Sequence, residues 1–118
     1  MSASKIATTI LAVLLCSGPL FAGPENPRRI EITASRFSYS PNQITLKKGE
    51  AVVLVLHSTD VTHGLKIPDL GVNTTEIKKD KDSEISLTPT TAGHFTGKCA
   101  HFCGKGHGSM ILQIDVVE

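Results

Sequence analysis

The residues best suited to chemistry lie in one short segment near the C-terminus. Between positions 99 and 110 the chain places Cys99, Cys103, His107 and Met110, with His101 between the two cysteines. Thiolate and thioether are soft donors, and together with imidazole they favour copper, zinc or iron–sulfur clusters over magnesium, calcium or manganese. The segment therefore predicts a metal site.

Two interpretations without a metal compete with this prediction. A helix would place the side chains of the segment on one face, but Gly104, Gly106 and Gly108 alternate through it, and each costs roughly 1 kcal/mol in a helix interior. We therefore expect a loop. A disulfide between Cys99 and Cys103 is compatible with an exported protein, but it leaves the histidines and the methionine without a role.

Among soft metals, the donor set favours copper. Zinc has no preference for the thioether of Met110, and an iron–sulfur cluster normally uses four cysteines. A mononuclear blue-copper centre uses one thiolate, two histidines and a weak methionine, so either Cys99 or Cys103 would be left over. Two cysteines that each bridge two ions would instead form a dinuclear centre, with one histidine on each metal.

A dinuclear centre needs a second histidine from outside the segment. His63 is favoured because it follows a buried strand and precedes Gly64, which leaves room for a neighbour. His57 is expected at the surface or rim, and His94 could face either way. His101 could contribute either its side chain or its backbone carbonyl.

The elements that must position these residues are predicted to be strands. Apolar side chains alternate with polar ones, and residues 51–56 form a short continuous apolar run. The alternating pairs are Ile30 and Ile32, Phe37 and Tyr39, Ile44 and Leu46, and Ile85 and Leu87. Turn signals separate them, and no long helical period competes. The pattern predicts an all-β sandwich or Greek-key barrel.

Residues 1–22 have the layout of a secretory signal peptide. Lys5 precedes an apolar run over residues 6–15, about half of the ~20 residues that a membrane-spanning helix needs, and small residues around Ala22 allow cleavage. We expect residues 23–118 to form one domain in the periplasm or otherwise outside the cytoplasm. Lipid attachment at Cys16 is disfavoured, because the residues before it lack the small side chain that lipoprotein processing uses.

The motifs together resemble a known family. Cys99, Cys103, His107 and Met110 fit the pattern Cys-x3-Cys-x3-His-x2-Met of the CuA copper domain of cytochrome c oxidase subunit II, which nitrous oxide reductase shares. Four further segments resemble parts of that domain: 37–44, 58–64, 67–72 and 93–95. The resemblance therefore covers most of the chain after the signal.

The resemblance implies a cupredoxin-like Greek-key β-sandwich with two copper ions in a CuA-type centre. The implied metal ligands are His63, Cys99, His101, Cys103, His107 and Met110. Cys99 and Cys103 would bridge both ions, and His101 would offer only its backbone carbonyl. Asp60 would orient a ligand, since outer groups of this kind hold ligating histidines in place.

The predicted function is transfer of single electrons by a soluble exported protein that is not an enzyme. A saturated copper site leaves no open position for a substrate. A redox protein, a cytochrome or an oxidase, is the expected donor or acceptor, and contact with a membrane is expected only through such a partner. The formal net charge of +1 gives no basic field for nucleic acid.

The sequence departs from the family on the partner side. Oxidase members use a tryptophan-bearing surface to receive electrons from cytochrome c, and this sequence has no tryptophan. Lys98, His101 and Lys105 make the rim of the site basic, which favours an acidic partner.

The alternative function is that of a periplasmic copper chaperone or copper-sequestering protein with the cupredoxin fold. Sco-type chaperones also combine Cys-x3-Cys with a distant histidine, but they resemble thioredoxins and carry proline where this chain has Gly104. Ready exchange of a single Cu(I), rather than redox cycling of a stable pair, would distinguish the chaperone.

Overall fold

The computed structural model describes residues 26–118, which form nine β-strands and two single-turn 3₁₀ helices. The strands are β1 (Arg28–Ser35), β2 (Ser38–Ser40), β3 (Gln43–Lys47), β4 (Val52–Ser58), β5 (His63–Ile67), β6 (Val72–Ile77), β7 (Ser83–Leu87), β8 (Gly93–Lys98) and β9 (Ile111–Val117). The 3₁₀ helices span Pro68–Leu70 and His107–Ser109. Over this range no helix has the length and apolar character to cross a membrane. The predicted signal peptide, residues 1–22, lies outside the described residues.

The strands form two sheets that face each other across one core. One sheet has four strands in the order β2-β1-β4-β7, and the other has five in the order β3-β9-β8-β5-β6. β1 pairs with β4 in parallel, and β3 pairs with β9 in parallel, while the other named pairs are antiparallel. The all-β sandwich predicted from the apolar alternation is confirmed.

The core is built from the inward-facing side chains of both sheets. Ile32 in β1 lies opposite Leu56 in β4, and both are fully buried. Ile114 in β9 lies opposite Ile44 in β3 and is also fully buried. Strands with one face in the core alternate buried and exposed residues because successive side chains point to opposite faces. This period is why the sequence pattern identified them.

Phe37 corrects one detail of that pattern. The alternation of Phe37 with Tyr39 predicts that both side chains point into the core from one strand. The structure places Phe37 in the turn between β1 and β2, where its ring is 36% exposed, while Tyr39 is buried. The prediction was wrong for Phe37 because its apolar partner is a loop distant in sequence, and sequence alternation contains no information about such contacts.

Three chain turns meet at one end of the sandwich. The backbone N–H of Arg36, just after β1, donates to the Asp60 carboxylate, which follows β4, over 2.8 Å. The Arg36 guanidinium donates to the carbonyl oxygen of Cys103, in the loop between β8 and β9, over 3.0 Å. The fold therefore gathers the turns after β1, β4 and β8 at this end, which we call the site end.

Gly97 in β8 gives a direct test of this packing. A Cβ atom at position 97 would lie 2.9 Å from Cδ1 of buried Leu65, whereas at exposed Gly108 it would meet nothing within 4 Å. Overpacking of a filled core typically costs about 1–3 kcal/mol. We expect Gly97→Ala to lower the free energy of unfolding in urea by that amount. Gly108→Ala, the matched control, should change it little, and equal effects would contradict the packing described here.

Candidate metal centre

The loop between β8 and β9, residues 99–110, is closed at its base by the backbone. The pairing of Lys98 with Ile111 brings the two strands together, and the next residue pair is joined by the Cys99 N–H donating to the Met110 carbonyl over 3.2 Å. Short-range turns fill the loop, among them the N–H of His107 donating to the Gly104 carbonyl over 3.1 Å. No α-helix forms here, so the helical interpretation of the spacing is excluded.

Four predicted donors converge inside this loop. The Sγ atoms of Cys99 and Cys103 are 3.8 Å apart, and both thiols are free and buried. Sγ of Cys103 also lies 3.9 Å from Nδ1 of His107 and 3.9 Å from Sδ of Met110. A disulfide bond would require about 2.05 Å, so these are two separate thiols held in contact. The loop thus gathers two thiols, a thioether and an imidazole.

His63 brings a fifth donor from the start of β5. Its side chain is completely buried, and one ring nitrogen lies with the Cys99 and Cys103 sulfurs in a group whose members are within 4.8 Å of one another. Nε2–H donates to the Asp60 carboxylate over 2.7 Å. Nδ1 has no hydrogen-bond partner within residues 26–118. An imidazole that binds a metal keeps one ring nitrogen free of hydrogen bonds for the ion. A buried, unpaired nitrogen beside two thiols fits that role.

Asp60 holds His63 in this orientation. Its carboxylate accepts hydrogen bonds from the backbone N–H of Arg36, from the N–H of Val61 and from His63. Desolvation acts to raise the pKa of Asp60, but these donors, the Arg36 N–H foremost, outweigh it and lower the pKa to about 2. The group is therefore a carboxylate that fixes which nitrogen of His63 carries the proton.

The turn between β1 and β2 supports the loop from outside. The Arg36 side chain holds the Cys103 carbonyl, and the ring of Phe37 lies against two loop glycines. A Cβ atom at Gly106 would lie 2.5 Å from a Phe37 ring carbon, and one at Gly104 would lie 2.9 Å away. The alternating glycines showed in the sequence that something approaches closely. They did not show that Phe37 and Arg36 are the residues that approach the loop.

Gly64 allows the other side of the loop to approach β5. A Cβ atom there would lie 3.0 Å from the backbone nitrogen of His101. The buried Tyr39 hydroxyl donates to the Gly64 carbonyl over 2.6 Å. Burial, followed by the nearby Cys99 thiol, raises the pKa of Tyr39. The tyrosine therefore stays protonated and holds the residue next to His63.

The burial of the thiols also affects their ionisation. Burial first, and then the neighbouring Cys99, raise the pKa of Cys103 to about 11. Without a cation this thiol keeps its proton at neutral pH. Binding of a metal ion, which needs the thiolate, would release that proton.

The remaining histidines lie apart from the cluster. The side chain of His101 is exposed, and only its backbone carbonyl reaches the site, accepting from the Cys99 thiol over 3.1 Å. His57 is half-exposed and lies 2.8 Å from the Asp82 carboxylate. His94 is exposed and contacts Asp115 at the surface. The histidine that joins the loop is thus His63, while His57 lies at the surface as predicted.

The donor atoms that the structure brings together fit copper. Two free buried thiols and a buried thioether are soft donors, an unpaired imidazole nitrogen also suits copper, and the group contains no carboxylate oxygen. The site lies at one end of a β-sandwich, between a loop and a strand end. Together the fold and the donors define a cupredoxin-type domain.

Comparison with known proteins agrees with that class. A family model described as Cupredoxin-like domain matches residues 5–112, so the chain belongs to the cupredoxin-like family, as the sequence predicted. Within that family its relatives include two Thermus thermophilus proteins named cytochrome c oxidase subunit 2. Each is 31% identical over 96 residues, or 81% of this chain, which covers 70% of one relative and 56% of the other.

A solved structure shows the same fold. The periplasmic domain of subunit II of cytochrome oxidase (CoxB) of Bradyrhizobium japonicum superposes with a TM-score of 0.70 at 19% identity. The match covers 77% of this chain and 84% of that one. The 31% identity over 96 residues makes the chain homologous to oxidase subunit II, and the solved structure shares its fold.

Tyr39→Phe tests the support beneath His63. Removal of the hydroxyl leaves the Gly64 carbonyl without its partner in a buried position, which costs about 1–3 kcal/mol. We expect the free energy of unfolding of the metal-free protein to fall by that amount. Thr75→Val removes an exposed hydroxyl that donates to Asn73 and serves as the control, with little change expected. An unchanged stability for Tyr39→Phe would contradict the role assigned to the hydroxyl.

Proposed function

We propose that this protein is an exported electron carrier with a dinuclear, CuA-type copper centre. The observation that carries the proposal is the pair of free, buried thiols 3.8 Å apart beside the unpaired Nδ1 of His63. One thiolate would suffice for a mononuclear blue-copper site. The homology to oxidase subunit II supports copper as the metal.

Each donor has a role in the proposed centre. The proposed ligands are His63, Cys99, His101 through its carbonyl, Cys103, His107 and Met110. Cys99 and Cys103 would hold both ions, since their sulfurs lie 3.8 Å apart and Sγ of Cys103 lies 3.9 Å from donor atoms of both His107 and Met110. Copper bound there would supply one-electron redox chemistry shared by the two ions.

Hydrogen bonds within the protein would hold the ligands in a fixed geometry while the charge of the proposed centre changes. His63 is held by Asp60, its neighbour Gly64 by Tyr39, and the Cys103 backbone by Arg36, so three hydrogen bonds fix the two ligand-bearing segments. The cysteines, His63 and Met110 are buried, which keeps bulk water from them. Fixed ligands and excluded water both reduce the rearrangement that accompanies loss or gain of an electron.

The proposed location is outside the cytoplasm. The layout of residues 1–22 supports export, and the solved relative is described as a periplasmic domain. The partner is a redox protein that donates or accepts one electron, because the relatives are oxidase subunits.

Cys103→Ser tests the bridging role. A serine hydroxyl is a poor replacement for a bridging thiolate, so we expect native mass spectrometry to find no stable copper pair in the variant and two coppers per chain in the parent protein. Retention of two coppers by the variant would contradict the bridge. A single Cu(I) in the parent protein, lost readily to a chelator, would instead favour the copper chaperone.

Met110→Leu separates the electronic role of the thioether from its packing role. Met110 is fully buried, and a Met-to-Leu exchange conserves volume and usually costs less than about 1.5 kcal/mol. Loss of the sulfur donor destabilises the more oxidised state, so we expect the reduction potential to rise in film voltammetry. An unchanged potential, or a variant that no longer folds, would contradict the assignment of Met110 as a ligand.

A further inference from the structure

The surface beside the proposed centre carries an exposed aromatic ring. Phe102 precedes the buried Cys103, yet its ring is 73% exposed. The ring contacts the imidazole of His107, with centroids 5.7 Å apart. A cleft of about 320 Å³ adjoins it, with Val61, Cys103 and Gly104 in its walls. An exposed aromatic ring beside this cleft offers a partner the kind of side chain that anchors protein interfaces.

Three exposed cations near this surface are free of ion pairs in the described part of the chain, and the nearby Asp60 carboxylate already accepts hydrogen bonds from two backbone N–H groups and His63. Arg36, Lys98 and Lys105 are exposed at the site end, and no acidic group in residues 26–118 forms an ion pair with them. Lys98 also lies directly opposite exposed Lys66 across β5 and β8. Like charges in that position destabilise a sheet, so the pair has a cost in the free protein that an acidic partner would offset.

The opposite end of the sandwich is arranged differently. The arginines and lysines that form ion pairs in the described chain are Arg28 with Glu50, Arg29 with Glu84 and Lys48 with Glu118. Arg28 starts β1, a strand of eight residues that spans roughly 25 Å and ends at the site. These three pairs neutralise cations at that end, whereas Arg36, Lys98 and Lys105 form no ion pair with any described residue and are available to a partner.

We propose that Phe102 and the cleft beside it form the docking surface for an acidic redox protein. Phe102 packs on the apolar edge of the partner's cofactor, and Arg36, Lys98 and Lys105 face carboxylates around that edge. One electron passes between the partner and the centre, so one is oxidised as the other is reduced, with no bond made or broken. This inference rests on the proposed electron-transfer function.

The first test compares two probes that differ in charge and share one haem. A c-type cytochrome with a lysine-ringed haem edge and the same cytochrome with its lysines succinylated are mixed with the copper-loaded protein in a stopped-flow instrument. At low ionic strength we expect the succinylated form to exchange electrons faster by a factor of about 10 or more. Its rate should fall as salt is added. A preference for the lysine-ringed form would overturn the docking surface.

Variants then locate the effect on the molecule. Phe102→Ala and Lys105→Glu should each slow the reaction with the succinylated cytochrome by roughly tenfold, without altering the optical spectrum of the copper centre. Lys47→Glu makes the same charge change at an exposed position of β3 and should leave the rate unchanged. An equal loss in Lys47→Glu would mean that net charge alone acts, and would overturn the proposal.

Binding without electron transfer gives an independent readout. In the reduced protein, addition of the succinylated cytochrome should shift the amide NMR signals of Arg36 and residues 99–107. Shifts confined to other regions, or no binding, would overturn the docking surface even if electrons pass. If small-molecule reductants and oxidants could not reduce and reoxidise the centre, the proposed electron-transfer function would be contradicted instead. The NMR shifts would still show where the succinylated cytochrome binds.

Discussion

The site depends on closure of the 99–110 loop against three separate parts of the fold. The pairing of β8 with β9 brings Cys99 and Met110 together at the base of the loop. Arg36 and Phe37 hold it from the side of β1, and Gly64 allows it to approach β5. Because these contacts come from both sheets, the sandwich must be formed before the donors meet.

Closure of the loop carries a cost that a metal would offset. It brings two thiols into contact away from water and leaves Nδ1 of His63 unpaired. A buried polar atom without a partner is unfavourable, and burial also resists ionisation of the Cys103 thiol. All three features become favourable once a soft cation lies between the donors. The arrangement is therefore understandable as a site prepared for metal, and hard to account for as core packing.

Much of the fold could be predicted from local pattern, because a strand with one buried face has apolar residues at every second position of the sequence. The convergence of His63 with the loop was predicted from its place at the end of a buried strand, and the structure brings them together. Arg36 and Phe37 could not be found this way. Their contacts join residues 67 positions apart, and Phe37 has the hydrophobicity of a core residue while it supports a surface loop.

Residue types alone left open whether His101 offers its side chain or its carbonyl, and only the family resemblance implied the carbonyl. The structure leaves the His101 side chain exposed and brings its carbonyl to the Cys99 thiol. Gly104, Gly106 and Gly108 were easier to interpret. Their spacing made a helix improbable and indicated that another part of the chain or a ligand approaches the loop backbone closely. Residue types thus predicted the chemistry, and tertiary contacts decided which atoms are available for it.

The most direct test of the dinuclear centre is electron paramagnetic resonance of the copper-loaded protein, recorded after partial oxidation with the copper content known. We predict hyperfine splitting from two equivalent copper nuclei sharing one unpaired electron, with two coppers per chain. Hyperfine splitting from a single copper nucleus would contradict the dinuclear centre. So would bound copper that gives no signal and is readily removed by a chelator.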